Sequence, residues 1–219
     1  MTPTMPLVEE SGQLEVTASV QPSARLEAMA AYSPLNHVVL TGAGSVGLNL
    51  GGRQYLRTQQ GELGIGGYWS LGNSWLVNAA GGGGLASVDR KTCVWGCDQR
   101  KGQYSKLFGQ AGIAWIGVFG SASLTYRLSR LQYTGVTNEG NAISDFGTYR
   151  HELALATRRY LGWSDTWFWQ YTMGVSLSNL KAPGELDSAA QTDRWFSAGV
   201  PTPFLGIGIG WQPFLRSRR

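Results

Sequence analysis

Leu14-Glu15-Val16-Thr17-Ala18-Ser19-Val20 alternates apolar and polar residues, Gln21-Pro22-Ser23 interrupts it, and Ala24-Arg25-Leu26-Glu27-Ala28-Met29-Ala30-Ala31-Tyr32 takes it up again. A side-chain period of two marks a strand with unlike faces, and the Pro-Ser break between two such runs marks a hairpin turn. The rhythm continues. Ser33-Pro34-Leu35-Asn36-His37 turns the chain into residues 38–49. Leu63, Ile65, Trp69 and Leu71 then oppose Glu62, Tyr68 and Ser70, and Gly72-Asn73-Ser74 leads into residues 75–88. Residues 103–116 and 118–133 meet at Gly117, residues 146–161 and 166–178 meet at Gly162-Trp163-Ser164-Asp165, and residues 194–211 complete the set. About ten antiparallel strands result.

Composition says what such a sheet faces. Only 15% of the 219 residues are charged, against the roughly 25% of soluble domains. There are 31 Gly, 9 Trp and 9 Tyr, which suit a surface that meets lipid. No apolar run approaches the 18 or so residues of a membrane helix. A chain of this kind crosses a bilayer only as a closed barrel, because every backbone N–H and C=O must be paired without water. The net charge of +4 does not indicate nucleic acid, since Arg53, Arg57, Arg90, Lys91, Arg100 and Lys101 fall in expected loops and Arg216, Arg218 and Arg219 in the tail.

Connections and aromatic residues orient the barrel. Turns after the second, fourth, sixth and eighth strands are short. Residues 51–60, 89–102, 134–145 and 179–193 form the longer connections, the asymmetry of bacterial outer-membrane barrels with short periplasmic turns and longer extracellular loops. Tyr32, Trp69, Trp75, Trp115, Tyr160, Trp163, Trp167 and Trp211 all lie beside short turns, as an aromatic girdle at one membrane interface. The expected layout is a periplasmic segment over 1–12, an all-β up-and-down transmembrane barrel over 13–214 and a basic tail over 215–219. Met1-Thr2-Pro3 has no charged or apolar leader character, so the chain reads as a mature form with an added Met. A soluble lipocalin-type barrel is the rival fold, and it would turn the apolar face inward.

Residues 5–16 (Met-Pro-Leu-Val-Glu-Glu-Ser-Gly-Gln-Leu-Glu-Val), 30–37 (Ala-Ala-Tyr-Ser-Pro-Leu-Asn-His), 104–110 (Tyr-Ser-Lys-Leu-Phe-Gly-Gln) and the Gly-rich last strand carry a likeness. In these the chain resembles the small, largely uncharacterised outer-membrane β-barrel proteins of Bacteroidota, many of them lipoproteins. The resemblance implies fold, location and a lipidated Cys just before Thr2, and it implies no activity.

Candidate chemistry is sparse. Gly42-Ala43-Gly44-Ser45-Val46-Gly47 matches a dinucleotide fingerprint, but no helix-forming pattern follows to receive a pyrophosphate. Glycines 42, 44, 64, 66, 67 and 81–84 make a smooth lane, either relieving crowding in a curved wall or docking a lipid or another outer-membrane protein. Cys93 and Cys97 in one loop suit a disulfide staple and, without a nearby His, no metal site. His151 points with Tyr149, Leu153 and Leu155 towards lipid, which does not pair it with a nucleophile. By parity Arg25, Glu27, Glu62, Lys106, Arg127, Arg150 and Glu152 share the lumen, in its outer half. They form either a salt-bridged filling or a polar binding site under the mouth. The expected protein is thus a non-enzymatic outer-membrane barrel surrounded by lipid, without a cofactor. Its alternatives are a narrow channel or small-solute binder, and an outer-membrane hydrolase.

Overall fold

The computed structural model describes residues 1–47, 55–93, 97–138, 140–161, 164–179 and 202–213. Its strands are β1 (Leu14–Gln21), β2 (Arg25–Leu35), β3 (Val38–Gly47), β4 (Tyr55–Leu71), β5 (Trp75–Cys93), β6 (Cys97–Ile116), β7 (Gly120–Asn138), β8 (Asn141–Ala142), β9 (Phe146–Leu161), β10 (Ser164–Asn179) and β11 (Thr202–Trp211). Each long strand pairs antiparallel with its neighbour in the chain, β7 pairs β9, and β1 pairs β11. Ten long strands therefore close into a barrel, with the two-residue β8 as an appendage of β7.

The faces are inverted relative to a soluble protein. Outward positions of β10 are Trp167, Trp169, Tyr171, Met173, Val175 and Leu177, all exposed. This ladder covers the roughly 9–11 residues that a tilted strand needs to cross a bilayer. Between them Gln170 and Thr172 are buried, as are Glu15, Glu62, Lys106, Arg127 and Arg158 on other strands. The interior is polar and the wall is apolar, so the lipocalin-type arrangement is excluded.

Three expected loops are largely strand. β5 and β6 pair without interruption from Trp75 opposite Trp115 to Cys93 opposite Cys97, β4 begins at Tyr55, and β7 runs to Asn138. Leu85 and Leu107 are the last large apolar residues outside on β5 and β6. Beyond them the outward positions are Ser87, Asp89, Lys91, Ser105, Gln103 and Lys101, so the apolar period stops while the backbone ladder continues. Polar cross-strand contacts hold this extension: Gln99 donates to the Tyr55 hydroxyl (2.7 Å) and Asp89 lies 3.8 Å from Lys101. Most of the fourth expected loop (180–193), Trp163 and the basic tail fall outside the described residues, as do the side chains of Cys93 and Cys97.

The first eight residues show the largest departure. Met5, Leu7 and Val8 are buried against Ala31, Val39, Tyr68, Leu76 and Ala114, all inward-facing. Segment 1–12 therefore does not hang below the barrel. It folds back at Gly12, whose φ of +81° suits glycine and whose N–H donates to Ser33 O at 2.7 Å, and it threads up the lumen. Met1, just before Thr2, lies within this lumen, where its terminal ammonium is 3.6 Å from Glu27.

Inward glycines make room for large lumen side chains. A Cβ on Gly82 would strike Leu63 O and the Phe108 ring, and one on Gly210 would strike the ring of fully buried Phe168. This accounts for the inward half of the glycine lane. Gly210→Ala is expected to cost about 1–3 kcal/mol through overpacking, read as a lowered urea midpoint.

Candidate functional site in the barrel lumen

The lumen holds three tiers of polar groups, each built from strand residues of inward parity. Nearest the Trp-rich end, Arg158 on β9 donates to both oxygens of Glu15 on β1 (2.8 and 2.9 Å), to Gln170 Oε1 (3.0 Å) and to Met5 O (3.0 Å). Glu15 returns the link to the threaded segment by accepting from Leu7 N–H at 2.9 Å, and Gln212 Nε2 donates to Leu7 O at 2.9 Å. Glu15 is fully buried and Arg158 nearly so, and the guanidinium lies 4.9 Å from the Phe168 ring centroid. An Arg fork satisfied on every side is the geometry in which a buried ion pair is tolerated.

At mid-height Glu62 on β4 bridges Lys106 on β6 and Arg127 on β7, the latter at 3.1 Å. Arg127 also donates to Gln110 Oε1 at 2.6 and 3.0 Å and stacks 4.6 Å from the Phe108 ring centroid. In the upper tier Glu27 accepts from Thr2 N–H (3.1 Å) and the Thr2 hydroxyl (2.6 Å), and lies 3.9 Å from Arg25. Arg150 Nε lies 3.5 Å from Ser178 Oγ, and Glu152 Oε2 is buried with no hydrogen-bond partner among the described residues.

The seven residues expected in the lumen thus all face it, and the structure divides them. Glu62, Lys106 and Arg127 form one cluster, Arg25 and Glu27 join the threaded segment, and Arg150 and Glu152 stand apart near the mouth. Glu15 and Arg158 were not among the expected set. Glu15 carries a signal, a carboxylate between apolar Leu14 and Val16, whereas Arg158 stands between Thr157 and Arg159 and shows no contrast.

On the outer wall Trp75 pairs with Trp115 and Trp167 with Trp211, while Tyr32 and Trp69 are likewise exposed at the short-turn end. Tyr160 departs from the expected girdle: it has the inward parity of Arg158, is the Cα partner of fully buried Phe168 and lies half-buried, edge-on to that ring. His151 also faces outward, with Nδ1 2.7 Å from the Tyr126 hydroxyl.

No family model matches this chain, and no curated protein does. Among solved structures it is similar to the N-terminal β-barrel domain of Pseudomonas aeruginosa OprF, with 8% identity, TM-score 0.38, and coverage of 92% of this chain and 98% of that one. It is also similar to Acinetobacter baumannii CarO2, with 11% identity, TM-score 0.30 and coverage of 91% and 98%. A third is OmpT, an outer membrane protein of Vibrio cholerae, with 10% identity, TM-score 0.25 and coverage of 92% and 95%. The resemblance to a Bacteroidota family has no counterpart among these matches, and likeness at this distance transfers no activity.

Proposed function

We propose that the protein is a non-enzymatic barrel of a bacterial outer membrane, with the Trp-rich turns towards the periplasm and the long β5–β6 hairpin outside. Its lumen is a closed, salt-bridged interior. The observation that carries this reading is the threaded segment 1–8, latched by Arg158, Gln212 and Glu27 inside a wall whose outer face is apolar. Full-length protein in planar bilayers is expected to give no single-channel steps. Reproducible steps would instead identify a channel.

Membrane insertion has its own test. Met173 is near the middle of the outward ladder of β10, and Met173→Arg is expected to cost about 2–4 kcal/mol at the bilayer midplane, measured by urea unfolding in vesicles. A change within experimental error would remove the lipid from that face. Two smaller elements complete the proposal. Cys93 and Cys97 are Cα partners at the hairpin tip, an arrangement that favours their joining as a disulfide in an oxidising environment, and intact mass before and after reduction decides it. Outward Gly81, Gly83 and Gly109 leave a flat strip for an acyl chain or a second barrel, and Gly83→Leu would then alter the oligomer distribution in mild detergent.

A further inference from the structure

A cavity of about 440 Å³ opens at the long-hairpin end, between β1, β2, β9, β10 and β11. That size is within the roughly 300–1,000 Å³ range of small-molecule sites. Met1 and Thr2 close its floor, which makes it a blind cup. Arg25, Arg150 and Glu152 line it together with Ser178 and the ring of Phe204.

The charges here differ from every other pair in the lumen. Elsewhere each carboxylate touches its cation: Glu15 touches Arg158, and Glu62 touches Lys106 and Arg127. In the cup Glu152 is attracted by Arg150 and by the terminal ammonium of Met1 but makes no ion pair with either among the described residues. Glu152 is 5% exposed, and its Oε2 has no partner. Arg25 Nε is also buried without a partner among the described residues, and Arg150 Nε lies 3.5 Å from Ser178 Oγ. Opposite charges that face one space without meeting leave a gap with a positive and a negative side. A buried unpaired carboxylate is costly unless something completes it.

We propose that the cup binds a small zwitterion, an amino acid or short peptide, with its ammonium on Glu152 and its carboxylate on Arg150, assisted by Arg25. A simple anion would meet the carboxylate of Glu152, and a simple cation would meet two guanidiniums. A divalent metal finds a single carboxylate here, and no metal-ligating group of three acidic, His or Cys residues occurs among the described residues. The apolar ring of Phe204 leaves room for a side chain beside the charged ends.

The floor belongs to the threaded segment, so the inference rests in part on the closed-lumen reading. The test reads binding rather than conductance, and either can fail alone. Full-length protein in detergent is titrated calorimetrically with L-alanyl-L-alanine, its N-acetyl form and its C-terminal amide. The expected result is saturable binding of the free dipeptide, weakened at least about tenfold, or 1.4 kcal/mol, by blocking either end. Glu152→Gln is expected to abolish discrimination against the N-acetyl form, and Arg150→Gln discrimination against the amide. Native folding of each variant is checked by its heat-modifiable gel mobility. Should a variant misfold, the three ligands on the unaltered protein decide the matter. Absence of saturable binding up to about 10 mM, or equal binding of blocked and free forms, would overturn the proposal.

Discussion

Replacing Arg158 by alanine is expected to destabilise the barrel by about 3–5 kcal/mol, because it strands a buried charge. Glu15 is fully buried and takes two of its hydrogen bonds from this guanidinium, and Met5 O and Gln170 Oε1 each take another. Truncation leaves all four acceptor atoms short of a donor where water does not replace it. Urea unfolding in lipid vesicles, followed by tryptophan emission, gives the measurement. Glu15→Gln combined with Arg158→Gln removes both charges and keeps hydrogen-bonding groups, so it is expected to lose clearly less. A loss below about 1 kcal/mol for Arg158→Ala, the size of an exposed pair, would mean that the lower tier is hydrated.

Deleting residues 2–8 is expected to convert a silent barrel into one with discrete conductance steps. The deletion removes Met5, Leu7 and Val8 from the packed cluster with Tyr68, Leu76 and Ala114. It also removes the acceptors Met5 O and Leu7 O, leaving Arg158 and Gln212 facing open space. These polar ends then hydrate a continuous path past Glu62 and Arg127. Planar bilayer recordings compare the two proteins directly. A silent deletion variant with native heat-modifiability would assign closure to the wall side chains rather than to the segment.

Period-two alternation located the strands closely where one face meets lipid. The sequence placed turns at Pro22, Asn36, Gly72 and Gly117, and all fall between observed strands. It failed where that contrast changes: above Leu85 and Leu107 the outward positions of the β5–β6 hairpin turn polar, while inward Ala86, Val88 and Tyr104 join an apolar cluster with Leu131, Tyr133, Val136 and Phe146. Trp has a strong interfacial preference, and Trp75 and Trp115 meet across strands at the short-turn end. Parity puts the lumen charges on one face, but partners depend on which strands closure brings together. Arg127 reaches Glu62 from three strands away around the wall, across 65 residues of sequence. The threaded segment was the least visible feature. Met5-Pro6-Leu7-Val8 is too short to show a period, and its apolar side chains make sense only once a space to fill exists.

That segment also bears on the order in which the barrel can assemble. Its contact from Leu7 to Glu15 spans 8 residues and can form as soon as β1 exists. Its fastenings to Arg158 and Gln212 span 153 and 205 residues, close to the separation of the β1–β11 seam itself. A strand threaded through a closed ring is far harder to insert than one around which the ring closes. The segment is therefore expected to act as a mandrel, meeting β1 first and being wrapped by the last strands as the seam zips. Non-local closure is the slow part of β assembly, so weakening the segment should slow the appearance of the compact gel band as well as lower its final stability.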